Sequence, residues 1–256
     1  MTTTMAFLGE FGDAIQFIFS KQESPAGGAQ IGGSENLPLL WEHLKVTFVA
    51  MGLAILVALP LGLWLGHTGR GAFLTISASN VGRAVPSVAL IALFVAFFPA
   101  TSAFVNVTIA LALLAIPPIL TNAYVGVRQV DRDAVDSARG MGMSGRQIVR
   151  SVELPLALPL IFGGIKTSTV NVIATATIAP LVGVLTLGDP IISGTVYGRA
   201  GQIGASIVVA LLAVLAELVL SAVQRAVTPT GVKLERAEGP VPTRPGTLKR
   251  RIQTVP

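Results

Sequence analysis

Cysteine is missing from this 256-residue chain, and charge is scarce: Asp, Glu, Lys and Arg together make up 12% of it. The first absence excludes disulfides and thiolate metal sites. Two histidines, His43 and His67, are too few for a histidine-based metal cluster. The shortage of charge says more. Soluble domains carry about 25% charged residues, and a chain this poor in charge cannot cover a water-facing surface of its size. Aromatic residues are only 6%, against 52% hydrophobic residues in all, and mean hydropathy is +0.73. Lipid is the solvent that suits such a chain. There is no G-x4-G-K-[ST] phosphate loop, no G-x-S-x-G elbow and no H-E-x-x-H zinc motif, so the chain carries no nucleophile or metal constellation.

What is present is a series of long apolar runs. A helix crossing a hydrocarbon core of about 30 Å needs about 20 apolar residues. Residues 46–66 are free of charge, and 84–127 is long enough for two crossings with a turn at Pro99-Ala-Thr-Ser. A fourth crossing is expected within 156–184 and a fifth over 203–223. Prolines 60, 86, 117, 118 and 180 fall in or beside these runs, where neighbouring helices can re-satisfy the freed carbonyls. The fold class is therefore all-α and polytopic, with about five core crossings. No basic region precedes the first apolar residues, so a signal peptide is not expected. Phe7, Leu8, Phe11, Ile15, Ile18 and Phe19 recur at helical spacing and predict an interfacial amphipathic helix or a short helix against the bundle. A crossing over 5–20 would raise the number to six. Residues 21–38 read as a polar linker, which gives an N-terminal unit over 1–40 and a transmembrane domain over 41–226.

The formal charge of +5 does not point to nucleic acid, because the basic residues flank apolar runs. Arg70 and Arg83, then Arg128, Arg132, Arg139, Arg146 and Arg150, then Arg225 and the basic residues of the C-terminal tail fall on one side of the five crossings. The positive-inside rule places that side, with the loop at 128–155 and the tail, in the cytoplasm of a plasma (inner) membrane. The tail over 227–256 has no apolar period and is expected to be disordered, with anionic lipid as a candidate contact for its last basic cluster.

The loop predicts two short helices. Asp131 is an N-cap for the first, whose apolar face holds Ala134, Val135, Ala138 and Met141. Ser144 and Gln147 form a capping box that starts the second, over 145–152, with Pro155 and Pro159 restarting the chain as a crossing. Gly140, Gly142 and Gly145 also match G-x-G-x-x-G. That dinucleotide fingerprint needs a preceding strand and a later acidic residue; here a charged helix precedes it and Glu153 comes too early. The residues from Asp136 onward resemble the loop of binding-protein-dependent, or type I ABC, importer permeases, with pattern E-A-A-x3-G-x9-I-x-L-P. Asp136-Ser137-Ala138, Gly142, Val152, Leu154 and Pro155 stand at that spacing, with Asp for Glu and Ser for Ala as departures. The resemblance implies a coupling helix that docks in a groove on a separate ATP-binding subunit. Asp136, Ala138, Gly142, Ser144, Leu154 and Pro155 belong to that motif region. Arg146 and Arg150, at i and i+4, are candidates to pair with acidic groups of the partner, with Ile148 and Val149 as its apolar anchor.

Further stretches resemble osmoprotectant importer permeases, which carry glycine betaine, choline, carnitine or proline betaine: Trp41-Glu-His43-Leu, Pro60-Leu-Gly62, Val85-Pro86-Ser87, Pro117-Pro-Ile-Leu, Glu153-Leu-Pro-Leu-Ala-Leu-Pro159, residues 175–183 and Leu187-Gly-Asp189. Permeases for methionine and other small solutes share the loop. The resemblance implies a second permease copy or paralogue, ATPase subunits that hold ATP and Mg, and an extracytoplasmic binding protein. It implies no cofactor or metal on this chain. No aromatic cage for a quaternary ammonium is evident, which agrees with recognition by a separate protein. A passive channel or membrane scaffold is the alternative from another class. Two charges fall inside crossings, Lys166 and Glu217, at similar depths of roughly 10–14 Å from the cytoplasmic end; a charge there pairs, snorkels or lines water, so the two either approach each other or snorkel independently.

Overall fold

The computed structural model describes residues 2–71, 73, 75, 77, 84–99 and 101–228. Helix α1 (Thr2–Phe19) is followed by a two-stranded antiparallel hairpin, β1 (Lys21–Glu23) and β2 (Gln30–Gly32), with Gln22 opposite Ile31. The expected linker is thus partly ordered. Helix α2 (Asn36–Thr68) comes next, then α3 (Ser87–Phe97), α4 (Ala103–Arg128), α5 (Arg132–Gly140) and α6 (Gly145–Ile148). A π turn over Val149–Glu153 leads into α7 (Leu154–Thr175), which tightens into a 3-10 turn over Ala176–Val182. The short α8 (Asp189–Ile192) and the long α9 (Gly194–Val227) complete the described fold.

Among the described residues, four helical stretches are long and apolar enough to cross a membrane: Gly33–Thr68, Ala103–Arg128, Gly145–Val182 and Gly194–Val227. The first half of 84–127, expected to cross, contains α3, whose 11 residues reach only about 16 Å at 1.5 Å each. The expected turn after Pro99 is present. Asn106 ties it down by donating from Nδ2 to the Phe98 carbonyl and accepting from the Thr101 hydroxyl. The tail from 229 onward lies outside the described residues.

The helices pack through small residues, as lipid-embedded helices do when no hydrophobic effect separates them from their solvent. Val46, Ala50, Ala54, Ala58, Gly62 and Gly66 form an i, i+4 stripe on α2, and all are buried. The stripe lies on α4. A Cβ added at Gly62 would come 2.6 Å from the Ala123 Cβ, and one at Gly66 2.6 Å from the Val127 Cβ. α4 meets α7 as closely: a Cβ at Gly164 would lie 2.7 Å from the Pro118 carbonyl oxygen. His43 is buried on α2, and its Nε2–H donates to the Ile173 carbonyl of α7 at 3.1 Å. α1 lies across α9 where the latter is thinnest. Phe17 and Ala14 are buried there, and a Cβ at Gly204 would sit 2.9 Å from both the Ala14 carbonyl and the Phe17 ring. α9 breaks at Gly198, whose φ of 63° only glycine adopts freely.

Candidate functional site

The loop between α4 and α7 is built from local signals. The Asp131 carboxylate caps α5 by accepting from the Asp133 N–H at 2.9 Å. Gln147 closes a capping box with Ser144 by accepting from the Ser144 N–H at 2.8 Å. Gly142 makes the bend between α5 and α6 with φ 83°, and a Cβ there would meet nothing within 4 Å. The backbone conformation, not crowding, therefore requires glycine at this point. Val130, Val135, Ala138 and Ile148 form a buried cluster, with Met143 and Val152 packed against it. The loop thus carries a small apolar core of its own.

That core corrects two expectations. Ile148 is 1% exposed, so its side chain pins α6 to α5 and is not free to anchor a partner. Met141, expected on the inner face of α5, is instead 76% exposed at the bend. The second loop helix is also not separate. The chain stays helical from Gly145 through the π turn into α7, and Pro155 follows directly on the π turn. Leu154 packs on the cluster of Ala123, Val127, Ala157 and Ile161.

Around this core the outward groups are polar. Asp136 and Arg139 pair with each other at 3.1 Å, both largely exposed. Ser144, Arg146 and Arg150 are exposed and Val149 is half-buried. Neither Arg146 nor Arg150 makes an ion pair among the described residues. The result is a rigid knob presenting one large apolar side chain, Met141, between an acidic–basic pair and two unpaired guanidinium groups.

Lys166 and Glu217 meet between α7 and α9, with Nζ 3.5 Å from Oε1. Lys166 also donates to the Ser221 hydroxyl at 3.3 Å. At the end of the bundle away from the loop, Asp189 accepts from the Tyr197 hydroxyl at 2.8 Å and from Ser193 at 3.0 Å. There the hairpin touches the α9 break, with the Ser24 hydroxyl donating to the Val196 carbonyl at 2.7 Å. Sequence reasoning missed one contact at the loop end: His67 Nδ1 lies 2.8 Å from Oε2 of the buried Glu153. Those two residues are 86 positions apart, and no local pattern joins them.

Residues 36–230 match the family described as binding-protein-dependent transport system inner membrane component. The chain is 37% identical over 205 residues to the glycine betaine/carnitine/choline transport system permease protein OpuCB of Bacillus subtilis (strain 168), covering 80% of this chain and 94% of that one. It is 36% identical over 211 residues to the carnitine transport permease protein OpuCB of Listeria monocytogenes, covering 82% and 96%. Among solved structures, a chain of the MetNI methionine ABC transporter in inward-facing conformations superposes with a TM-score of 0.68 at 22% identity, over 76% of this chain and 96% of that one. That likeness is one of fold. α1 and the hairpin precede the stretch matched by the family.

Proposed function

The chain belongs to the binding-protein-dependent transport system inner membrane component family, and from that premise we propose that it is the membrane-spanning permease subunit of an ATP-driven osmoprotectant importer. The observation that carries the reading is the knob of α5 and α6, set at one end of a bundle whose sequence is 37% identical to a glycine betaine/carnitine/choline permease. Its solutes are glycine betaine, choline and carnitine. The chain itself is not catalytic: ATP and Mg are held by separate ATPase subunits, and an extracytoplasmic binding protein delivers the solute. A second permease copy or paralogue completes the path, and the complex sits in the plasma (inner) membrane with the knob and the C-terminal tail in the cytoplasm.

The knob works as a lever because it does not deform. Its buried cluster fixes α5 to α6, so a push on Met141 or on the guanidinium groups of Arg146 and Arg150 moves the whole knob, and with it α4 and α7. Met141 supplies the apolar contact that seats in a groove of the ATPase, and Asp136 and Arg139 border it. Lys166 and Glu217 cancel each other inside the apolar layer, which removes most of the cost of an isolated charge there. A solute with a permanent positive charge then meets no net charge from this pair.

The test is reconstitution of the complex in proteoliposomes, with uptake of glycine betaine, choline, carnitine and methionine measured with and without ATP. ATP-dependent uptake of a quaternary ammonium solute is the expected result; methionine uptake alone would move the chain to the other solute class. A passive channel is separated by co-purification. Gly142→Val forces a β-branched residue into a left-handed bend and is expected to abolish recovery of the ATPase with the permease. A channel would move solute without ATP, a scaffold would move none, and neither would recover an ATPase.

A further inference from the structure

Glu153 is 2% exposed, and a carboxylate removed from water needs a partner. Among the described residues its partner is the His67 Nδ1, at 2.8 Å. The contact joins the last turn of α2 to the point where the loop becomes α7. Two local features build this junction. The π turn over Val149–Glu153 carries one residue more than an α turn would, which rotates the start of α7 by about 100°, and Glu153 is the residue that ends it. On its other side the imidazole reaches the start of α6: a Cβ added at Gly145 would lie 3.1 Å from His67 Nε2. One side chain of α2 therefore touches the knob helix at its first residue and the π turn at its last.

Covalently the knob is attached only to α4 and α7. We propose that His67 and Glu153 are positioning residues that hook α2 to the knob, so that displacement of the knob is passed to three helices instead of two. The proposal rests on the ATP-driven permease reading above. Without the hook, the ATPase still docks and turns over, but its stroke is transmitted incompletely, and ATP is hydrolysed with less solute moved.

The experiment uses the full-length chain assembled with its ATPase and binding protein in liposomes, with solute uptake and ATP hydrolysis measured in the same vesicles. His67→Leu and Glu153→Leu each remove the contact, while His67→Gln keeps an N–H that can donate to Glu153. Each Leu variant is expected to lower solute moved per ATP by at least about five-fold, and the double variant to be no worse than the poorer single, as coupled neighbours behave. His67→Gln is expected to recover the ratio to within about two-fold. Should Glu153→Leu fail to assemble, Glu153→Met, which also lacks an acceptor for the His67 N–H, completes the same cycle. An unchanged ratio in His67→Leu, losses that multiply in the double variant, or no recovery with Gln overturns the hook. A wild-type complex that moves none of the solutes with ATP overturns the importer reading instead.

Discussion

At Gly66 the α2 backbone passes α4 so closely that an added Cβ would come 2.6 Å from the Val127 Cβ, whereas at Gly52, on the same helix, it would meet nothing within 4 Å. Two glycines of one helix thus make opposite predictions. Gly66→Leu forces α2 and α4 apart and is expected to cost about 1–3 kcal/mol or more, read as a lower unfolding temperature of the detergent-solubilised protein. Gly52→Leu is expected to leave that temperature unchanged within error. Equal effects would show that the α2–α4 contact is not this close. The sequence placed Gly62 in a motif but could not tell a packing glycine from an open one, because the partner atoms belong to a distant stretch of chain, around Ala123.

At the scale of elements, α7 and α9 are joined by Lys166, Glu217 and Ser221. Lys166→Met leaves the Glu217 carboxylate without its cation in an apolar layer, where an unpaired charge costs up to about 3 kcal/mol. Lys166→Met combined with Glu217→Gln removes both charges and is expected to recover most of the lost folded yield and thermal stability. A double variant no better than Lys166→Met would mean that the two groups are solvated separately. The similar depth of these residues was legible because depth along a helix follows from counting residues, but whether they meet or snorkel apart depends on which faces α7 and α9 turn to each other. Also legible were Asp131 as a cap and the Ser144–Gln147 box, which act within three residues of chain. The inward turn of Ile148 and the outward turn of Met141 were not, since both depend on how α5 folds back on α6. Pro155 and Pro159 read as breaks, yet the helix runs through them: a π turn ahead of α7 absorbs the first. The hairpin's three-residue strands are too short and polar to show an alternating pattern.

For the molecule as a whole, the absence of cysteine is an experimental convenience. Ser137 is exposed on α5 and Ser34 is exposed in the turn before α2, at opposite ends of the bundle. With a membrane-impermeant maleimide, Ser34→Cys is expected to label in intact cells stripped of their wall, and Ser137→Cys only in inside-out vesicles. The reverse pattern would put the knob on the outer face, out of reach of any ATPase. The long apolar segments were legible from hydropathy alone. The contacts that arrange them were hidden, because a stripe of small residues marks the packing face of α2 but not which helix lies against it.

The bare backbone contacts at Gly62, Gly66 and Gly164 also limit how such a carrier can change shape. Helices slide past one another when long side chains between them swap rotamers, and no such layer separates α2, α4 and α7 at these points. Sliding of the three past one another is blocked at these heights, and tilting about the contacts is the freedom that remains. A stroke that tilts α4 and α7 therefore leaves α2 behind unless something ties its end to them, and regular helix already stops at the 3-10 stretch over Ala176–Val182 and at Gly198.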